Sequence, residues 1–375
     1  MYFLNDFKNL QLDIVGFLAI LGEGSVESNA QIATLSKWIY LPRLIPAPQA
    51  FIRTKRPDRL ETTKGKIVGA YSGNVRDFVN HIAHLLHDGD RFPAYSVRCM
   101  SIKKHEGRLP VKAHNFGPLA WLAVLGCLMS CTLIALSAYY DDGMALLATI
   151  FLSVLSSLVG VGSHWYVKLP RRTAKRAVPP GDVVIQYPQG NFLIVKCSEN
   201  VARELYWAPE ECIYDVGVLT YRMIALLSTL LLMCGVIFLA NARLKLQLCF
   251  AAAYMILNAG YWIVAALPAQ WHWDLSSFEI VPEEYVRGSD NETFTEALWM
   301  AIAITKSISW VKIGNITPQS PAWNAWLNQA EDRANLDPCK LSQISGMSDK
   351  WMLPRWDCQK ALSDLLNPNS PQTMV

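Results

Sequence analysis

Two pairs of long apolar runs constrain this chain more than anything else in it: Pro118 to Ala138 with Met144 to Gly162, and Met223 to Ala240 with Leu246 to Leu267. None of the four contains Asp, Glu, Lys, Arg or His. Each is close to the ~20 residues that a helix needs to cross a hydrocarbon core of ~30 Å. A single helix from Pro118 to Gly162 would run roughly 65–70 Å at ~1.5 Å per residue, more than twice that thickness, so the chain has to turn. Asp141-Asp142-Gly143 marks the first turn, because a carboxylate at mid-membrane costs about 2.5–3.5 kcal/mol on insertion scales. Arg243 and Lys245 mark the second by the same logic. The expected fold is a mainly α membrane protein: two transmembrane helical hairpins, four helices in all, with a small composite α/β extramembrane domain.

At 375 residues, 52% hydrophobic and 17% charged, the chain is too polar to be all membrane and too apolar for an ordinary soluble domain. It divides into an N-terminal extramembrane region (1–116), the first hairpin (117–166), a middle extramembrane β-hairpin and helix (167–222), the second hairpin (223–267) and a C-terminal extramembrane helical region (268–375). Both hairpins turn tightly, so the three extramembrane parts share one face. Lys103, Lys104, Arg108 and Lys112 precede the first crossing, and Lys168, Arg171, Arg172, Lys175 and Arg176 follow the second. That excess makes the face cytosolic, with both terminal regions on it, at an endomembrane or the plasma membrane. Two sequons oppose this, Asn291-Glu292-Thr293 and Asn315-Ile316-Thr317, which are acceptors only if the C-terminal region is lumenal. Orientation and headgroup contact account for the basic residues, and no nucleic-acid partner is expected.

Nine cysteines include no Cys-x-x-Cys pair, so neither a disulfide framework nor a metal knuckle is indicated. Ile14 to Leu21 is too short to span and reads as an interfacial or packing helix, with a cleaved signal as the alternative. Pro42 to Arg59, rich in Pro and basic residues, reads as an extended connector. Lys66 to Tyr71 reads as a strand, Ser72-Gly73-Asn74 as a turn and Val75 to His87 as an amphipathic helix with Phe78, Ile82, Leu85 and Leu86 on one face. Asp182 to Tyr187 and Phe192 to Cys197 form a hairpin, after which Ser198 caps a helix reaching Trp207. These pieces are too small to fold alone and are expected to form one composite domain. The indoles of Trp271 and Trp273 suit a membrane interface. Phe294 to Ser307 and Pro321 to Ala334 read as helices.

His81, His84 and His87, followed by Asp88 and Asp90, are the one cluster that invites a metal or acid–base assignment. Imidazoles three residues apart on a helix lie about one turn apart, but the third is rotated away and Asp90 would have to fold back to complete a site. The competing reading is the polar flank of an amphipathic helix. Glu210-Glu211 and Glu283-Glu284 read as solvated pairs. No nucleophile elbow, phosphate loop or dinucleotide fingerprint is present, so no cofactor is expected. Within the spans Asn258 is the prominent polar side chain, expected to bond between helices, and the lack of ionisable groups weighs against transport. Gly126 with Ser130, and Ser156 with Gly160, are small residues four apart that suit close helix packing or a homo-oligomer.

The strings Lys64-Gly65-Lys66-Ile67-Val68-Gly69-Ala70-Tyr71-Ser72-Gly73-Asn74, Ala202-Arg203-Glu204-Leu205-Tyr206-Trp207, Ala251-Ala252-Ala253-Tyr254-Met255-Ile256-Leu257-Asn258-Ala259 and Phe294-Thr295-Glu296-Ala297-Leu298-Trp299 resemble uncharacterised multi-pass membrane proteins of filamentous fungi. The resemblance covers nearly the whole chain. It carries no activity and no catalytic residues, and what it implies is an accessory role linked to secondary-metabolite biosynthesis. Three readings follow: an accessory or scaffold protein that recruits protein partners at the cytosolic face of an internal membrane, a membrane enzyme on a lipophilic substrate with His81 and His84 as its chemical groups, and a small-molecule transporter. The lipid bilayer is the partner common to all three.

Overall fold

The computed structural model describes residues 23–52, 55–105, 111–169, 180–282, 291–335 and 356–367. Ile14 to Leu21, Arg108, Glu283-Glu284 and the basic residues 171–176 lie outside them, as does the side chain of Asp90. The elements begin with α1 (Glu23–Ala33), β1 (Thr63–Gly69), β2 (Val75–Val79), α2 (His81–His87), β3 (Val97–Lys104) and β4 (Lys112–Ala113). Then come α3 (Pro118–Tyr139), α4 (Gly143–Ser163), β5 (Trp165–Lys168), β6 (Val183–Gln186), β7 (Phe192–Cys197), α5 (Glu199–Ala202) and a π-helical turn (Arg203–Trp207). The last are β8 (Glu211–Tyr214), α6 (Val218–Ala240), α7 (Leu244–Ala266), β9 (Trp273–Asp274), β10 (Phe278–Pro282), α8 (Phe294–Thr305), α9 (Ser309–Ile313), α10 (Pro321–Ala334) and α11 (Cys358–Leu366). They fall into two compact units.

The helical unit draws on residues 1–58, 110–168 and 211–275. Its α3, α4, α6 and α7 are 22, 21, 23 and 23 residues long, and all four are apolar and long enough to cross a membrane. Unlike those of a water-soluble bundle, their large apolar side chains lie on the outside as well as in the core. Trp121, Leu128, Leu226, Met233, Ile237 and Ile263 are more than half exposed, while Ser130, Ser137, Thr149, Ser153, Ser156 and Ser228 are buried. An exposed apolar surface of this extent marks a membrane or a protein interface. Helix α4 packs on α3 and α6, and α7 packs on α3 and α1. Asp142 caps α4 by accepting from the N–H groups of Met144 and Ala145, and Gln247 braces the second turn by donating to the carbonyls of Leu239, Ala240 and Ala242. At the other end two short ladders join the helix stems, β4 with β9 and β5 with β8.

The stretch read as an extended connector is instead inserted among these helices. Arg43 to Pro48 is buried, and Ile39, Leu44, Ile45 and Phe51 share one core with Leu122, Leu152, Leu155 and Tyr254. Irregular backbone is tolerated in an apolar bundle only if its polar groups find protein partners. Here they do. The N–H of Leu44 donates to the Gly126 carbonyl at 3.4 Å, the N–H of Arg43 donates to Ser156 Oγ at 3.0 Å, and Ser157 Oγ donates to the Tyr40 carbonyl. The Arg43 guanidinium closes on its own segment, donating to the carbonyls of Trp38, Ile39 and Leu41. Pro46 and Pro48 bring no N–H to satisfy. Composition pointed to solvent because the bundle that supplies these partners comes later in the chain.

The sheet unit, residues 59–109, 169–210 and 276–375, is built on one six-stranded sheet in the order β10-β3-β7-β6-β1-β2. Only β3 and β7 are parallel; the remaining neighbours are antiparallel. Gly190, at φ +76°, makes the β6–β7 turn that an L side chain resists. One sheet face, with Val68, Val97, Cys99, Val184, Phe192 and Ile194, packs against α8 to α11 and buries Trp310, Trp326 and Leu327. Residues of opposite parity, such as Ile67, Ile185, Leu193 and Met100, are buried on the other face. Each of the three sequence stretches contributes strands, so the sheet closes only when all are present.

Two further expectations are corrected. Val75 to His87 is not one helix: β2 pairs with β1 through Val79, and only His81–His87 is helical. Asn80 breaks the run, and the β-branched Val75 and Val79 suit the ladder, leaving Phe78 exposed. Trp271 is exposed as an interfacial indole would be, but Trp273 is buried in β9, 6.4 Å from the Trp165 ring and edge-on to it.

Candidate functional site

The histidine helix α2 is docked in the sheet unit by its neighbours in space. At its start, Asn80 Nδ2 donates to the carbonyls of Leu205 and Ala208 at 2.7 and 2.8 Å, and Glu210 Oε1 accepts from the N–H of Ile82 at 2.9 Å. At its end, His87 is buried, with Nε2 2.6 Å from the Tyr206 hydroxyl and Nδ1 3.3 Å from Met100 Sδ. The Tyr206 ring stacks on the imidazole with centroids 5.8 Å apart and planes 5° from parallel. Tyr206 belongs to the π-helical turn, a distortion that recurs at functional sites. Beside it the carboxylate of Glu204, also buried, pairs with the ammonium of Lys104.

Burial governs the electrostatics. It pushes the His87 imidazole down to about 3, with His84 adding to the effect, so the ring is neutral. Burial also lowers His81, again with His84 contributing, while the Glu61 carbonyl pulls the other way. It raises Glu210 to about 7 against the backbone N–H groups of Ile82 and His81, and it lifts the Tyr206 phenol well above its usual range. The result is two buried arrangements: a neutral imidazole against the Tyr206 hydroxyl, and a Glu210 carboxyl on the backbone N–H groups of Ile82 and His81, poised near neutrality.

Sequence-predicted residues divide sharply against this geometry. His81 and His84 are half-buried, whereas His87 uses both ring nitrogens inside the protein and is no part of a solvated flank. Among the described residues, no three or more of His, Cys, Asp and Glu are gathered to hold a metal ion. Glu210, read as solvated, is buried because it follows the apolar Leu205-Tyr206-Trp207 segment and caps a neighbouring helix. That flanking run was the available signal for both Tyr206 and Glu210.

The small residues of the helical unit divide between helix packing and the inserted segment. Ser130 and Ser153 join α3 to α4 at 2.9 Å. Gly126 and Gly160, however, admit the inserted segment: a Cβ at Gly126 would lie 2.8 Å from the Leu44 carbonyl oxygen, and one at Gly160 2.5 Å from that of Ile39. Ser156 likewise bonds to Arg43 rather than to another long helix. Asn258 is half-buried on α7. Of the sequon residues, Asn291 Nδ2 donates to the Tyr95 carbonyl and Thr293 caps α8, whereas Asn315 is exposed on a turn at φ +48°.

No family model, no curated protein and no solved structure matches this chain.

Proposed function

We propose that the chain is a multi-pass membrane protein whose helical unit anchors a cytosolic sheet unit, and that it serves as an accessory or scaffold protein at an internal membrane. The observation that carries the anchoring is the set of large apolar side chains that α3, α4, α6 and α7 leave exposed around their apolar core. The bond between Asp142 and Arg243 supports placing both turns at one end of the long helices, and the stems that carry Lys112 and Lys168 at the other. The basic flanks favour the cytosol for that side. A glycosidase-resistant, unmodified Asn315 in the native protein is the expected outcome; a glycan there would invert the orientation.

The scaffold role is supported by a six-stranded unit in which His87 is engaged with Tyr206 and Glu210 with the backbone of α2. Proximity labelling from the C-terminus should return a recurrent set of proteins, and a return no different from that of an unrelated membrane anchor would sink the idea. The family resemblance links the role to secondary metabolism. A membrane enzyme is the second reading, favoured by the half-buried His81 and His84 beside a carboxyl poised near neutrality. Deletion followed by untargeted metabolite comparison separates them: one missing product for an enzyme, a general loss of yield for a scaffold.

A further inference from the structure

At the stem end of the helical unit, the Arg56 guanidinium lies against two tyrosine rings, 4.2 Å from the centroid of Tyr214 and 4.4 Å from that of Tyr221. Such contacts engage the charge of the cation and leave its N–H groups to hydrogen bonding. Nη1 donates to the Gly162 carbonyl at 3.1 Å, and among the described residues that is the only hydrogen bond the side chain makes. An arginine carries five N–H donors, so among the described residues most of this fork is without an acceptor. The neighbouring acids have partners of their own: Asp215 lies 2.5 Å from His164 Nδ1, and Glu211 pairs with Lys168.

The same guanidinium lines a cavity of about 30 Å³ with Gln31, Thr34, Ser163, Tyr214 and Tyr221. That volume holds about two water-sized groups. Ser163 closes α4 and Tyr221 stands in the first turn of α6, so the cavity lies where long helices end, which in a bilayer is headgroup depth. A half-buried planar cation with free donors, two tyrosines and room for a pair of oxygens is the chemistry that recognises a phosphate bidentately.

We propose that Arg56, flanked by Tyr214 and Tyr221, binds the phosphate of a phospholipid headgroup at the cytosolic end of the helices. The proposal rests on the membrane reading. Arg56 supplies the fork, the two rings hold the cation in place, and the Gly162 carbonyl anchors one nitrogen. A lysine at this position keeps the charge but loses the paired donors.

The test uses the purified full chain in detergent micelles doped with short-chain phosphatidic acid or with diacylglycerol of the same chains, read by native mass spectrometry. The wild type should retain the phosphatidic acid about tenfold more strongly than the diacylglycerol. Arg56→Gln should abolish that preference, and Arg56→Lys should keep only part of it. Equal retention of both lipids by the wild type overturns the proposal even if a variant fails to fold, as does an undiminished preference in a folded Arg56→Gln. Displacement by equimolar inorganic phosphate would assign the site to a free anion instead and overturn the lipid assignment. Micelle binding requires no bilayer crossing, so carbonate extraction of native membranes tests the anchoring separately: release of the chain sinks that reading without deciding the phosphate preference.

Discussion

The carboxylate of Asp142 accepts a hydrogen bond from the backbone N–H of Arg243 at 2.7 Å, joining the first turn between long helices to the second. Arg243 returns the contact by donating from Nη1 to the Tyr140 carbonyl at 2.6 Å. One buried side chain thus caps α4 and holds two loops a hundred residues apart in sequence.

Asp142→Ala removes three acceptor contacts at once and should destabilise the helical unit by about 2–3 kcal/mol, the combined scale of a lost helix cap and a lost charged hydrogen bond. Asp142→Asn, which keeps one acceptor oxygen, should recover part of it. Thermal unfolding in detergent measures both. An unchanged midpoint for the alanine variant would mean that the turns are held by something else.

Glycine at 160 is needed for the insertion of residues 37–52, so Gly160→Ala should weaken that segment's seat by about 1–3 kcal/mol, the usual cost of overpacking. Its signature is new protease cleavage between Trp38 and Phe51. Gly143→Ala is the control: a Cβ there meets nothing within 4 Å, and the change should be neutral or slightly stabilising.

The sheet unit should show two opposed pH dependences. Glu210, raised from 4.5 to about 7 by burial, adds stability that is complete below pH 4.5 and is lost as pH rises through 7. His87, lowered from 6.5 to about 3 by burial, adds stability that is complete above pH 6.5 and is lost as pH falls towards 3. Between 4.5 and 6.5 the slopes oppose, each bounded by about 1.4 kcal/mol per pH unit. Glu210→Gln should therefore make the unit lose stability more steeply on acidification over that interval. A denaturant midpoint with the same pH profile as wild type would contradict the buried-carboxyl assignment.

Tyr206→Phe leaves a buried His87 nitrogen without its partner and should cost about 1–3 kcal/mol. His84→Ala should leave the metabolite profile of the host unchanged if the scaffold reading holds. Selective loss of one metabolite at normal protein abundance would move the balance to the enzyme.

The four long helices and the β6–β7 hairpin were legible in the sequence because each is set locally, by charge-free runs of spanning length and by Pro188-Gln189-Gly190-Asn191 at the turn. The inserted segment was not, since its burial depends on Gly126, Ser156 and Gly160 more than eighty residues later, and Pro and Arg ordinarily signal solvent. Val75 to His87 misled for a different reason: its apolar positions fit a helical period across the Asn80 break, and only pairing with Thr63–Gly69 reveals the strand. Interior β3 has a parallel partner in β7 and an antiparallel one in β10, both distant in sequence, so no hairpin signal announces it. Tyr206 and Glu210 sit in a readable apolar stretch, but their partners, His87 and the backbone N–H of Ile82, come from another part of the chain.

The segment around Arg43 also imposes an order on biogenesis. It leaves the ribosome before any of the helices that receive it, and its own carbonyls are closed by its own guanidinium. Until α3 and α4 have been inserted, the plug exists without a socket. Its seating is therefore a late event in maturation, separable in time from the threading of the helices themselves.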